Sequence, residues 1–241
     1  MPLKQIIYTS LFPKVLKRRE IANTIEQIEA LSSIADLSKI VLATAHEQTK
    51  ITLQQQIPEA IILSFDAFSH AKYKQHNPDR HALFRRFEII PGKEMLRLYS
   101  AQQTVDFIYY TDSDQWVSPQ TLARAYAAAH INEIVRIPVG FRCPDGPDDC
   151  GPQRASTQSD AFNCYIMRPK LFAGINLLDL TNIHNARNGD ANLLAPDNTF
   201  YQKVRPRAER KHDLVRAYTR HHVDDRTYWE YLHGSIRLRT V

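Results

Sequence analysis

The chain has 241 residues, 43% of them hydrophobic and 24% charged. That length and balance support a sizeable core and exclude global disorder. No apolar run approaches the roughly 20 residues that cross a bilayer, and the net charge of +5 points to anionic partners.

The opening "MPLKQIIYTSLFP" has too short an apolar stretch for a secretory signal, so a cytoplasmic protein is expected. "QIIYTSL" then reads as a first buried strand. In "REIANTIEQIEALSS", Ile21, Ile25, Ile28 and Leu31 share one helical face. "KIVLATA" and "AIILSFD" read as the second and third strands. A helix is expected around "GKEMLRLYSAQQ", then the strand "VDFIYYT". Ser118 is placed to cap a helix whose first residue is Pro119, and "EIVRIPVGF" follows as a strand. Strands alternating with helices predict an α/β domain with a mostly parallel sheet flanked by helices, as a single unit over residues 1–241. Ligands of such sheets bind beyond the carboxyl ends of the strands.

The pattern changes after Phe141. "RCPDGPDDCGPQRASTQSD" is an aperiodic, proline- and glycine-rich loop, the kind expected to serve as a lid. "AFNCYIMRPKLFAGI" resumes a strand and a short helix, and the tail from Arg207 reads as partly helical. Three cysteines without a C-x-x-C pair indicate neither a disulfide framework nor a zinc site. The basic runs "KVLKRRE" and "KVRPRAERKH" carry no RNA-binding signature, so no nucleic-acid partner is expected.

The segment with the most chemistry is "VDFIYYTDSDQW". An apolar strand ends in two aspartates, Asp112 and Asp114, which repel unless something positive lies between them. Two carboxylates on one tight turn suit a hard cation such as Mn²⁺ or Mg²⁺, which completes its shell with phosphate oxygens. The plain alternative is that Asp112 caps the next helix and Asp114 is solvated. Tyr8, Thr9 and Ser10 end the first strand, where Tyr8 would stack on a base and Thr9 bond to it; core and turn roles compete. Arg18 and Arg19 would grip phosphate as forks or simply start a solvated helix. Trp116 would pack on a sugar or in the core.

"FIYYTDSDQW" resembles the nucleotide-diphosphate-binding DxD of the GT-A glycosyltransferases, of the family 8 kind or the small viral and bacterial kind. "AFNCYIM" resembles their "FNxG" strand, departing at Tyr165. "GDANLL" is similar to a "DQxLL" segment with Asp190 as its acid, and "YLHGSIR" to a late histidine motif. The resemblance implies a GT-A, Rossmann-like fold and transfer of a sugar, of the hexosyltransferase class, from a UDP- or GDP-sugar to a glycan or other hydroxyl acceptor. It implies a metal held by Asp112, Asp114 and His233, with His221 and His222 as rivals to His233. Lys93 and Arg97 on the preceding helix, with Ser113, would lie near the donor. Asp160, or second Asp190, would act as general base in an inverting reaction. Peripheral association with the inner face of a membrane is compatible with the charge. A haloacid-dehalogenase-like phosphohydrolase also uses Asp-x-Asp after a strand, but near its N-terminus and with Thr or Val where Trp116 stands here. A non-catalytic nucleotide- or RNA-binding protein is the third reading, supported only by the basic balance.

Overall fold

The computed structural model describes residues 3–13, 18–143, 164–189, 192–194, 196–214 and 219–222; at 18–19, 81–82, 139–143, 197–199, 201 and 219–222 it describes the backbone alone. The elements in chain order begin with β1 (Gln5–Phe12), α1 (Arg18–Ser32), β2 (Asp36–Thr44), α2 (Glu47–Gln56) and β3 (Ile61–Ser64). Three helices follow, α3 (Ala71–His76), α4 (His81–Phe84) and α5 (Arg86–Ala101), then β4 (Phe107–Asp112), β5 (Gln115–Trp116) and α6 (Pro119–Ala129). The remainder comprises β6 (Ile134–Arg136), β7 (Val139–Cys143), β8 (Cys164–Met167), α7 (Leu177–Leu180), α8 (Ile183–Arg187), α9 (Pro196–Val204), β9 (Lys211–Asp213) and β10 (Thr219–His222). A 3-10 turn, Pro169–Phe172, follows β8.

Seven strands form one sheet in the order β3-β2-β1-β4-β8-β6-β9. β1, β2, β3 and β4 run parallel, β8 runs antiparallel to both β4 and β6, and β9 is parallel to β6. The class expected from the sequence, a mixed and mostly parallel sheet between helices, is the one found. Side-chain alternation along the strands fills both faces. Ile6, Tyr8, Phe12, Phe107 and Tyr109 pack under α1, α2 and α6. Ile7, Leu11, Ile108 and Tyr110 pack against Leu96 of α5 and Phe172 and Phe200 beyond it. Among the described residues no helix is long and apolar enough to cross a membrane.

Three boundaries differ from the sequence reading. The expected strand "EIVRIPVGF" is broken: β6 belongs to the large sheet and β7 to a second, three-stranded sheet of order β5-β10-β7. Pro138 separates them, because a proline has no N–H to continue a ladder. α5 starts at Arg86 rather than Gly92 and carries Pro91 inside it. The described part of the tail is strand, not helix: β9 pairs with β6, and β10 pairs with β5 and β7. The expected lid is described only to Cys143; its remainder lies outside the described residues.

Candidate active site

The carboxyl ends of β1, β2, β3 and β4 lie level. Leu11 pairs with Ala43 on one side and Asp112 on the other, while Thr44 pairs with Ser64. The backbone N–H of Ser113 donates to the carbonyl of Leu11 at 3.2 Å, which fastens the turn holding Asp112 and Asp114 to the end of β1. Asp112 and Asp114 are both half-buried.

Lys93 places a positive charge beside the first of the aspartates. Its Nζ lies 3.7 Å from Asp112 Oδ2, with the lysine side chain 2% exposed and the carboxylate 22% exposed. Tyr110 shares a strand face with Asp112, and its hydroxyl donates to Asp112 Oδ1 at 2.7 Å. The ammonium also stands 5.6 Å above the Tyr110 ring, a cation–π distance. Gly92 makes this approach possible. A Cβ there would sit 2.4 Å from Leu11 Cδ1 and 2.7 Å from Phe65 Cζ, so no larger residue lets α5 lie this close to the end of β1.

A second set of groups grips the turn from the α1 side. Gln27 Oε1 accepts from the Tyr109 hydroxyl at 2.6 Å, and Gln27 Nε2 donates to the carbonyl of Gln115 at 3.0 Å. One buried amide thus bridges the strand before the aspartates and the strand after them. Its neighbour Glu26 accepts from the indole N–H of Trp116 at 2.7 Å. On the opposite edge of β5, the backbone of β10 places His221 in register with Gln115, one residue beyond Asp114. Burial raises the Tyr109 phenol, with Cys164 and Tyr8 adding to the effect, and pushes the Cys164 thiol up to about 12. Both groups are therefore neutral packing partners.

The other expected site residues fall into three groups. Tyr8, Thr9 and Ser10 are sealed in the core at 0–1% exposure, so none offers a face to a base. Tyr8 packs edge-on to Tyr109 at 5.6 Å, and Thr9 Oγ1 donates to the Tyr109 carbonyl at 3.1 Å. The strand is buried to its last residue, Phe12. Arg97 is likewise committed to the fold. It donates to both oxygens of Glu94, at 2.7 and 2.6 Å, and to the carbonyl of Phe172 at 2.9 Å, while Glu94 accepts from the Leu177 N–H at 2.9 Å. Arg18 is the first residue of α1 and is described in backbone only. Asp160, Asp190 and His233 lie outside the described residues.

Gln27 and Tyr110 were missed. Both left signals: Gln27, with Asn23, interrupts an apolar helical stripe, and Tyr110 stands two residues before Asp112 on a strand.

Among the described residues no three His, Cys, Asp or Glu side chains cluster as a metal site. What is present is an oxygen-donor pair. Asp112 is oriented by Tyr110 and Lys93, and Asp114 stands at the turn. This set fits a hard cation that takes its remaining ligands from phosphate.

No protein-family model matches the chain, and no curated protein matches it in sequence. Solved structures do match. 4-Diphosphocytidyl-2C-methyl-D-erythritol synthase aligns with a TM-score of 0.51 at 12% identity, over 96% of this chain and 97% of that one. TarS residues 1–349 of S. aureus, in complex with UDP-GlcNAc, align with a TM-score of 0.47 at 14% identity, over 92% of this chain but 59% of that one. Glucosyl-3-phosphoglycerate synthase of Mycobacterium tuberculosis, in complex with Mn²⁺, UDP and phosphoglyceric acid, aligns with a TM-score of 0.42 at 12% identity, over 94% and 73%. The chain thus spans about three-fifths of that TarS fragment. The strand order and the match to the synthase define the fold as the Rossmann-like class shared by nucleotidyltransferases and GT-A enzymes.

Proposed function

We propose that this protein is a metal-dependent glycosyltransferase that takes its sugar from a nucleotide-diphosphate sugar. The observation that carries the reading is the end of β4. Two aspartates on one pinned turn adjoin the end of β1, and a buried lysine already orients the first of them. In this reading Asp114 binds Mn²⁺ or Mg²⁺ directly. Asp112, oriented by Lys93 and Tyr110, would bind the metal or the donor ribose. The cation, when bound, neutralises charge on the departing diphosphate.

The chain's own groups do the rest. Lys93 holds Asp112 in place, so the site needs little rearrangement when the donor arrives. Gln27 holds the turn between Tyr109 and Gln115. Arg18, at the start of α1, is proposed to grip the diphosphate. Asp160 is proposed as general base of an inverting reaction, with Asp190 as the substitute. His233 is proposed as a further metal ligand; the register of β10 with β5 makes His221 its direct rival.

The test is incubation with UDP- and GDP-sugars and Mn²⁺, following free nucleoside diphosphate and inorganic phosphate. Slow release of nucleoside diphosphate is expected. Inorganic phosphate as the product would replace the reading with a phosphohydrolase, and neither product with a simple binder. Metal titration of His233→Ala beside His221→Ala assigns the histidine: the variant with weakened Mn²⁺ binding identifies the ligand.

A further inference from the structure

α3, α4, the first turns of α5 and α8 enclose an apolar cluster of their own, made by Tyr73, Phe87, Ile90, Ile183, Ala186 and Leu193. This lobe stands at the ligand end of the sheet. The Phe68 N–H donates to the Phe87 carbonyl at 3.0 Å, and a turn further along α5 Gly92 touches Leu11 and Phe65 at the ends of β1 and β3. The lobe is predominantly basic. From Asp66 to Glu88 the chain carries two lysines, three arginines and three histidines against three acids, Asp66, Asp79 and Glu88. Lys72, Lys74, His76, Arg80 and Arg85 are exposed, as are His184 and Arg187 of α8.

Several cations elsewhere on the molecule are paired, although Lys203, Arg210 and Lys211 have no carboxylate at ion-pair distance among the described residues. Lys4 and Arg168 pair with Asp106, Arg136 and Arg205 with Asp213, and Lys170 with Glu133. Lys72, Lys74, Arg80, Arg85 and Arg187 have no carboxylate at ion-pair distance among the described residues. Several of the lobe's cations are nonetheless held in place. Arg80 donates to Asn192 Oδ1 at 3.1 Å, Arg86 to the Leu193 carbonyl at 3.2 Å, and the Arg187 guanidinium lies 4.7 Å over the Phe68 ring. Cations gathered at this end of the sheet, some of them held in place, attract an anion, and guanidinium groups suit phosphate and carboxylate oxygens.

We infer that this lobe docks the acceptor, and that the acceptor is a polyanion bearing phosphate or carboxylate groups; the word acceptor rests on the glycosyltransferase reading. A membrane surface fits less well. Membrane-binding faces pair cations with apolar side chains that insert. Among the described residues, the large exposed apolar side chains of Leu3, Ile51, Ile61 and Ile131 lie on other elements and that of Leu98 in the last turns of α5, while Leu194 adjoins the lobe.

The test uses the full chain and labelled short-chain inorganic polyphosphate, read by fluorescence anisotropy. Two triple variants remove equal charge. Lys72→Ser, Lys74→Ser and Arg85→Ser strip the lobe; Lys203→Ser, Arg210→Ser and Lys211→Ser strip an exposed basic stretch around the β9 edge. At about fivefold per cation, the lobe triple is expected to bind on the order of a hundredfold more weakly than the parent. The distal triple should stay within a fewfold of the parent. Arg187→Gln, on a different helix, should weaken binding in the same direction, which separates lost charge from misfolding of α3. Equal losses in the two triples would reduce the effect to net charge and overturn the inference. So would binding of the parent to phosphatidylglycerol vesicles but not to polyphosphate. Nucleotide-sugar turnover by the parent is read separately. Lobe-selective polyphosphate binding without turnover sinks the transferase reading and leaves a polyanion site, whereas turnover without lobe selectivity sinks this inference alone.

Discussion

Lys93 and Arg97 sit one turn apart on α5, both almost wholly buried and both facing a carboxylate, yet they do different work. Arg97 is closed. Its three bonds go to Glu94 and the Phe172 carbonyl, and Glu94 in turn takes the Leu177 N–H, so the pair ties α5 to the 3-10 turn and to α7. Lys93 is open. Its partner Asp112 lies 3.7 Å away at the end of a strand, reaches solvent, and shares its turn with a second aspartate. Similar charge and burial therefore produce architecture in one place and a candidate site in the other. The difference lies in whether the carboxylate partner is enclosed.

The sharpest way to break this comparison is to remove each cation in turn. Arg97→Met strands Glu94 as a buried, uncompensated carboxylate, a change worth about 3–5 kcal/mol, and the melting temperature should fall by about 10 °C. Adding Glu94→Gln should restore much of that loss. Lys93→Met should cost less, about 1–2 kcal/mol, because water can still reach Asp112. It should instead weaken Mn²⁺-dependent nucleotide binding by about tenfold or more. A Lys93→Met protein as unstable as Arg97→Met, with donor binding intact, would erase the distinction.

Gln27→Leu sharpens the account at the other side of the turn. It leaves the Tyr109 hydroxyl and the Gln115 carbonyl without their amide, at about 1–2 kcal/mol by denaturant unfolding. Metal affinity should drop with it, because the amide spans the turn that carries both aspartates. Unchanged affinity would show that the turn keeps its shape without this bridge.

The smallest effect concerns Cys164. A thiol raised to about 12 by burial is neutral at pH 7, so its contribution to stability is complete below the ordinary thiol range. That contribution is lost as pH climbs from about 8.5, where the unfolded thiol ionises, towards the folded value. In a chain carrying Cys143→Ser and Cys150→Ser, alkylation at pH 8 should run about a hundredfold slower than after unfolding in guanidinium. Fast labelling of the folded chain would mean that β8 opens readily beside β4.

Much of the fold was legible because its signals are local. Ser118 accepts from the Thr121 N–H as an N-cap should, with Pro119 at the first helical position. The run ending at Asp112 is a central strand, and the stripe of Ile21, Ile28 and Leu31 is buried. What escaped depends on distant partners. Pro138 marks a break within "EIVRIPVGF", but nothing near it announces which sheet each half joins; that follows from the pairing of β7 with β10. Lys93 and Arg97 look interchangeable on a helical wheel, and only Asp112 on one side and Phe172 on the other tell them apart. Tyr8 to Ser10 read as a strand end facing ligand because depth is not written in a strand's composition. The neighbours that bury Tyr8 and Thr9, Tyr109 above all, come from residues about a hundred positions later.

The central claim is that the end of β4 is a metal-dependent nucleotide site. It is tested most directly by calorimetric titration of UDP and GDP into the parent and Asp114→Asn chains, each with Mn²⁺ and with a chelator. One of the two nucleotides should bind the parent only when Mn²⁺ is present, and Asp114→Asn should lose that binding while remaining folded. Nucleotide binding that is the same in chelator, or the same in Asp114→Asn with Mn²⁺, would contradict the account.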